Sequence, residues 1–142
     1  MSNWNKKFIG LASEIASWSK DPSVKVGAVI TRPNNTIVSL GYNGFPRGVN
    51  DDPSRYNDRE TKLKYVCHAE ANAIINGRED LIGYTIFSYP LHPCCDCAKL
   101  IINSGIKKVV TTKPVGIDRY KESFEAASNM FKEAKIEVEY ID

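Results

Sequence analysis

Two short segments carry side chains whose combination can do chemistry: His68-Ala69-Glu70 and Pro93-Cys94-Cys95-Asp96-Cys97. They supply an imidazole, a pair of thiols at Cys-x-x-Cys spacing, and a spare carboxylate. His68, Cys94 and Cys97 form a three-ligand set for zinc that leaves the fourth tetrahedral position open for water. Zinc lowers the pKa of such a water to about 7, which provides a nucleophile at ordinary pH. Glu70 follows His68 by two residues, so from a first helical turn it points near the metal without ligating it and can move protons. A lone His-x-Glu would be an ordinary polar helix start, and a lone Cys-x-x-Cys a redox pair or half of a structural zinc site. The redox reading is disfavoured because Tyr89 to Pro93 separates Cys94 from the strand before it. A closed zinc site would want a fourth Cys or His. Cys67 and Cys95 adjoin ligands and are expected to be packed thiols, with His92 a loop residue beside the site.

The rest of the chain must position these groups. Trp4, Phe8, Leu11, Ile15 and Trp18 recur at steps of four and three, which predicts one face of an opening helix ended by Asp21-Pro22. Val24 to Arg32 and Thr36 to Tyr42 read as an antiparallel hairpin around Pro33-Asn34-Asn35. Asn43 to Tyr65 is polar and aperiodic, a long loop of the kind that is usually functional or mobile. A helix from His68 to Asn76, stopped by Gly77, precedes a buried strand from Tyr84 to Ser88. Pro93 opens a helix from Cys94 to Ser104, closed by Gly105. Lys108 to Thr112 is a strand, and Tyr120, Phe124, Ala127, Phe131 and Ala134 mark a last helix. Ile136, Val138 and Tyr140 alternate with glutamates as an edge strand does. Strands three to five are separated by helices and so run parallel. The expected fold is α/β, a three-layer sandwich in which a five-stranded mixed sheet has helices on both faces. Both motif halves fall at helix N-termini, which favour thiolate and carboxylate charge.

The 142 residues suit a single domain, 1–142, and the net charge of +2 does not advertise long nucleic acid as a partner. Four cysteines are too few for a secreted disulfide scaffold of this length. The opening twenty residues lack an unbroken apolar run, so neither a leader nor a membrane span is expected, and a cytoplasmic location is.

His-x-Glu followed by Pro-Cys-x-x-Cys resembles the signature of zinc nucleobase deaminases, which release ammonia hydrolytically from an aminated ring. Further segments are similar to the deoxycytidylate (dCMP) deaminase family within the cytidine deaminase superfamily. They are Ser19 to Ser23, Val26-Gly27-Ala28, Gly41-Tyr42-Asn43-Gly44-Phe45-Pro46, Cys67 to Ile74 and Ala98 to Ile102. The resemblance thins after about residue 112. It implies a cytidine deaminase-like fold, a zinc cofactor, conversion of dCMP to dUMP for thymidylate synthesis, and a homohexamer. It implies that Asn43 contacts the deoxyribose and that the Ala69 backbone helps read the base. It further implies activation by dCTP and inhibition by dTTP at a separate site including Gly41, Tyr42, Gly44 and Gly48. Lys20, Arg47 and Arg55 are candidates there for an effector triphosphate with Mg2+. Arg119, within Gly116-Ile117-Asp118-Arg119-Tyr120, is a candidate for the substrate phosphate, and Tyr120 for capping the base pocket. Cys95-Asp96 departs from the Asn-Glu that many relatives carry between the two cysteines, without removing a ligand. The alternatives are a tRNA adenosine deaminase, which shares His-Ala-Glu but needs a basic surface, and a zinc-binding module without activity. A free cytidine deaminase would resemble Cys-Ala-Glu enzymes instead.

Overall fold

The computed structural model describes residues 2–114 and 118–141. In chain order the elements are α1 (Asn3–Ala16), β1 (Gly27–Thr31), β2 (Ile37–Tyr42), α2 (Pro53–Asn57), α3 (Arg59–Tyr65) and α4 (Ala69–Asn76). They continue with β3 (Thr85–Tyr89), α5 (Cys95–Asn103), β4 (Lys108–Thr111), a 3-10 turn (Asp118–Tyr120), α6 (Lys121–Glu133) and β5 (Glu137–Tyr140). The strands form one sheet in the order β2-β1-β3-β4-β5. β1 pairs antiparallel with both β2 and β3, whereas β3-β4 and β4-β5 are parallel.

Successive side chains of a strand point to opposite faces, and here both faces are covered. On one face Val29, Phe87 and Val110 pack against Phe8, Ile9 and Ala12 of α1. On the other, Ala28, Ile30, Ile86 and Val109 meet Ala69 and Ala73 of α4, Ala98 and Ile101 of α5, and Ala127 and Phe131 of α6. The three-layer mixed sheet anticipated from the helix-strand alternation is therefore the fold observed.

Several local expectations differ. α1 ends at Ala16, with Ser17 as its C-cap, five residues before Pro22. Trp4 and Trp18 lie outside the buried face, 47% and 53% exposed. A stripe stepping by four and three averages 3.5 residues and drifts off an α-helical face, so the true stripe is Phe8, Ile9, Ala12, Ile15 and Ala16. β1 begins at Gly27 rather than Val24. The segment from Asn43 to Tyr65 is not one loop. It contains α2 and α3, nucleated by the Asp52 N-cap with Pro53 and tied down by the buried Tyr56, whose ring stacks on Phe45 at 4.3 Å. Ala134 is exposed and stands at the C-cap of α6.

Two glycines set how closely helices approach the sheet. A Cβ on Gly27 would lie 2.1 Å from Ala12 O, and one on Gly41 would lie 2.4 Å from Ala69 O and 2.5 Å from Ala73 N. Those neighbours are helix backbone and cannot rotate away. Gly41→Ala and Gly27→Ala are each expected to cost about 3 kcal/mol or more, read as a lower Tm. Gly10→Ala, where nothing lies within 4 Å of the new methyl, should instead stabilise α1 by about 0.5–1 kcal/mol.

Candidate active site

Two helix starts converge. His68 is the N-cap of α4 and Cys94 the N-cap of α5. Cys97 follows within the first turn of α5, and Cys94 Sγ accepts from the Cys97 N–H at 3.4 Å. His68 Nδ1 lies 3.3 Å from Cys94 Sγ and 3.4 Å from Cys97 Sγ. All three ligand atoms fall within 4.8 Å of one another. Tetrahedral zinc with bonds of about 2.3 Å to sulfur and 2.0–2.1 Å to nitrogen sets N···S near 3.6 Å, so the donor set and its spacing fit zinc. Nδ1 is then the lone-pair nitrogen of His68, and its Nε2 carries the proton.

The charges of the cluster are mutually adjusted. A hydrogen bond from Cys97 favours Cys94 as the thiolate and pulls it down to about 4. The same contact, with burial, pushes Cys97 up. His68 is raised by its hydrogen bond to the Cys94 sulfur. Zinc bound here would require both sulfurs as thiolates.

Glu70 is buried, at 4% exposure, in the first turn of α4. Burial pushes its carboxyl up from the usual range, opposed by its own backbone N–H at the helix start. Ser88 Oγ lies 3.0 Å from Glu70 Oε2 and 3.1 Å from Leu91 O. When Glu70 is ionised the hydroxyl donates to it; when Glu70 is protonated the hydroxyl donates to Leu91 and accepts from the carboxyl. Both protonation states therefore keep a partner. Ser88 was not anticipated, although a polar residue following the buried Ile86 and Phe87 was the available signal.

These groups open onto a cavity of about 260 Å3 whose lining includes Asn43, Ala69, Tyr120 and Phe124. Ala69 and Tyr120, the candidates for reading and capping the base, both line it. Asn43 lines the cavity too, but its amide is spent on the chain around it. Its Oδ1 accepts from the Val26 N–H at 2.8 Å, and its Nδ2 donates to Val24 O at 2.9 Å and Asp21 Oδ2 at 3.3 Å. Arg119 is exposed, lies outside the cavity lining and rests over the Tyr120 ring at 4.9 Å. Gly116 and Ile117 of its motif lie outside the described residues. His92 is a loop residue beside the site, as expected, and is buried there, donating from Nδ1 to Pro93 O at 2.8 Å. Ser123 Oγ accepts the Cys95 N–H at 2.9 Å, so α6 caps α5. Cys67 and Cys95 stay half-buried and outside the ligand cluster.

The effector candidates divide. Gly41, Tyr42, Gly44 and Arg47 share a second groove of about 490 Å3 lined by residues of β2 and α4, and among the described residues no carboxylate lines it to hold Mg2+. Lys20 borders a different groove and pairs with Asp51 at 2.9 Å. Arg55 sits over the Tyr65 ring, and Gly48 has a positive φ of 83° at a turn; both lie outside that second groove. Gly41 has a packing reason of its own beneath α4. Among the described residues no helix is long and apolar enough to cross a membrane.

Residues 2–113 match the family described as the cytidine and deoxycytidylate deaminase zinc-binding region. The deoxycytidylate deaminase of Mus musculus is 45% identical over 94% of this chain and 76% of its own length. An uncharacterized deaminase of Aliivibrio fischeri is 41% identical over 99% of this chain and 95% of its own. Among solved structures, a dCMP deaminase from the cyanophage S-TIM5 in complex with dCMP and dUMP matches with TM-score 0.74 at 26% identity, over 99% of each chain. A ligand cluster fit for zinc beside a buried carboxyl, on this fold and with these relatives, makes the chain an enzyme of the cytidine and deoxycytidylate deaminase family.

Proposed function

We propose that the protein converts dCMP to dUMP with release of ammonia, supplying deoxyuridylate for thymidylate synthesis. One observation carries the reading: a buried, proton-competent carboxyl, Glu70, beside the His68, Cys94 and Cys97 cluster and facing a cavity. Zinc bound by those three residues would supply a water acidic enough to react at neutral pH. Glu70 would accept a proton from a water so activated and hand it to the ring nitrogen beside the carbon that bears the amine. The second proton leaves with the amine by the same carboxyl, so water enters and ammonia departs in balance. The Ala69 N–H, unpaired as the first of its helix, is available to the base carbonyl. Tyr120 and Phe124 supply aromatic walls. The relatives named deoxycytidylate deaminase favour a small nucleotide over the tRNA alternative, and Glu70 in place argues against an inactive zinc module.

Effector control by dCTP and dTTP belongs to the same proposal. It is supported by the groove that gathers Gly41, Tyr42, Gly44 and Arg47 behind α4. A homohexamer accords with the exposed Trp18, Tyr42 and Ile75 beside that groove. Titrating dCTP and dTTP into the dCMP assay tests the control, and velocity sedimentation tests the assembly.

Glu70→Gln removes the proton carrier while keeping shape and size. It is expected to retain zinc and lose about 10²–10⁴-fold in kcat, measured as ammonia release beside metal content; a fully active Glu70→Gln sinks the mechanism. Cys97→Ala should lose both zinc and turnover, and chelation of the wild type should abolish turnover reversibly.

A further inference from the structure

The geometry points to Lys62, on α3, as the residue that reads the 5′-phosphate of the substrate. This rests on the reading of the substrate as a nucleoside monophosphate. The cavity in front of Glu70 is lined by the acids Asp21, Glu70 and Asp96, and its lining contains one Lys or Arg, namely Lys62. Asp96 is exposed and paired with Lys99 at 2.9 Å, but a phosphate dianion entering beside the buried Asp21 and Glu70 still needs a cation, because charge repulsion at short range in a partly dry site is strong. Arg119, the sequence candidate, is outside that lining.

Lys62 is also held in a way that suits a ligand. Its side chain is 11% exposed, and Nζ donates to Asp21 Oδ1 at 3.0 Å. That is the single protein acceptor recorded for an ammonium with three donors, among the described residues. The other two donors of the ammonium are left to the cavity that Lys62 lines, where a phosphate oxygen can accept them. Asp21 itself is fixed: Oδ1 also accepts the Ser23 N–H at 2.8 Å, and Oδ2 accepts from Asn43 Nδ2 at 3.3 Å. The chain Asn43, Asp21, Lys62 therefore holds the ammonium at the cavity wall with two donors to spare. Asn43 is then a positioning residue for the phosphate reader.

The test assays ammonia release from dCMP and from deoxycytidine, side by side, on zinc-loaded wild type, Lys62→Gln and Lys62→Arg. Wild type should strongly prefer dCMP. Lys62→Gln should lose about ten- to hundredfold in kcat/KM for dCMP, mainly through KM, the range of one charge-assisted hydrogen bond. Its kcat/KM for deoxycytidine should stay within about twofold of wild type, and Lys62→Arg should recover most of the preference. Equal losses on both substrates, or an unchanged preference in Lys62→Gln, overturn the assignment and leave Lys62 a structural residue. If Lys62→Gln fails to retain zinc, the double variant Asp21→Asn/Lys62→Gln, which strands no buried charge, is held to the same criterion. A wild type indifferent to the phosphate overturns the substrate reading itself, and this assignment with it.

Discussion

Three acidic groups crowded into one partly buried space set the terms for the rest of the molecule. Glu70, Cys94 and Cys97 would repel one another if all were ionised and unaided, and burial raises the cost further. The fold answers with two helix N-termini at the cluster, one of which gives the Cys97 N–H to the Cys94 sulfur, and with an imidazole that supports the same sulfur. The sheet, the glycine contacts and the Thr111 and Thr112 hydroxyls that anchor the 90–91 carbonyls all serve to bring those helix starts together.

The chemistry was more legible in the sequence than the cavity around it. His68, Glu70, Cys94 and Cys97 belong to two local motifs, and helix-start geometry follows from short-range rules, so their meeting required few long-range assumptions. The parallel strands followed from the helices between them. By contrast, the positions of Lys62, Asp21 and Ser88 depend on how distant segments pack. Nothing in the periodicity around Lys62 separates it from the exposed Lys64 two residues on. The long polar stretch from Asn43 concealed two short helices because neither is long enough to show an apolar period. Trp4 and Trp18 misled for the opposite reason: large apolar residues at helical spacing were exposed, one stacked on Phe8 and one beyond the helix end.

The match to the family's zinc-binding region stops at residue 113, yet Tyr120, Ser123 and Phe124 complete the cavity wall from beyond it. The chain thereby divides its work. Its first four-fifths hold the ligands and the proton carrier, while α6 closes the chamber from outside that region, anchored in the core by Ala127 and Phe131 and tied to the metal-binding helix by the Ser123 cap. The chamber's aromatic wall, Tyr120 and Phe124, is thus built from a different stretch of chain than the groups that would do the hydrolysis.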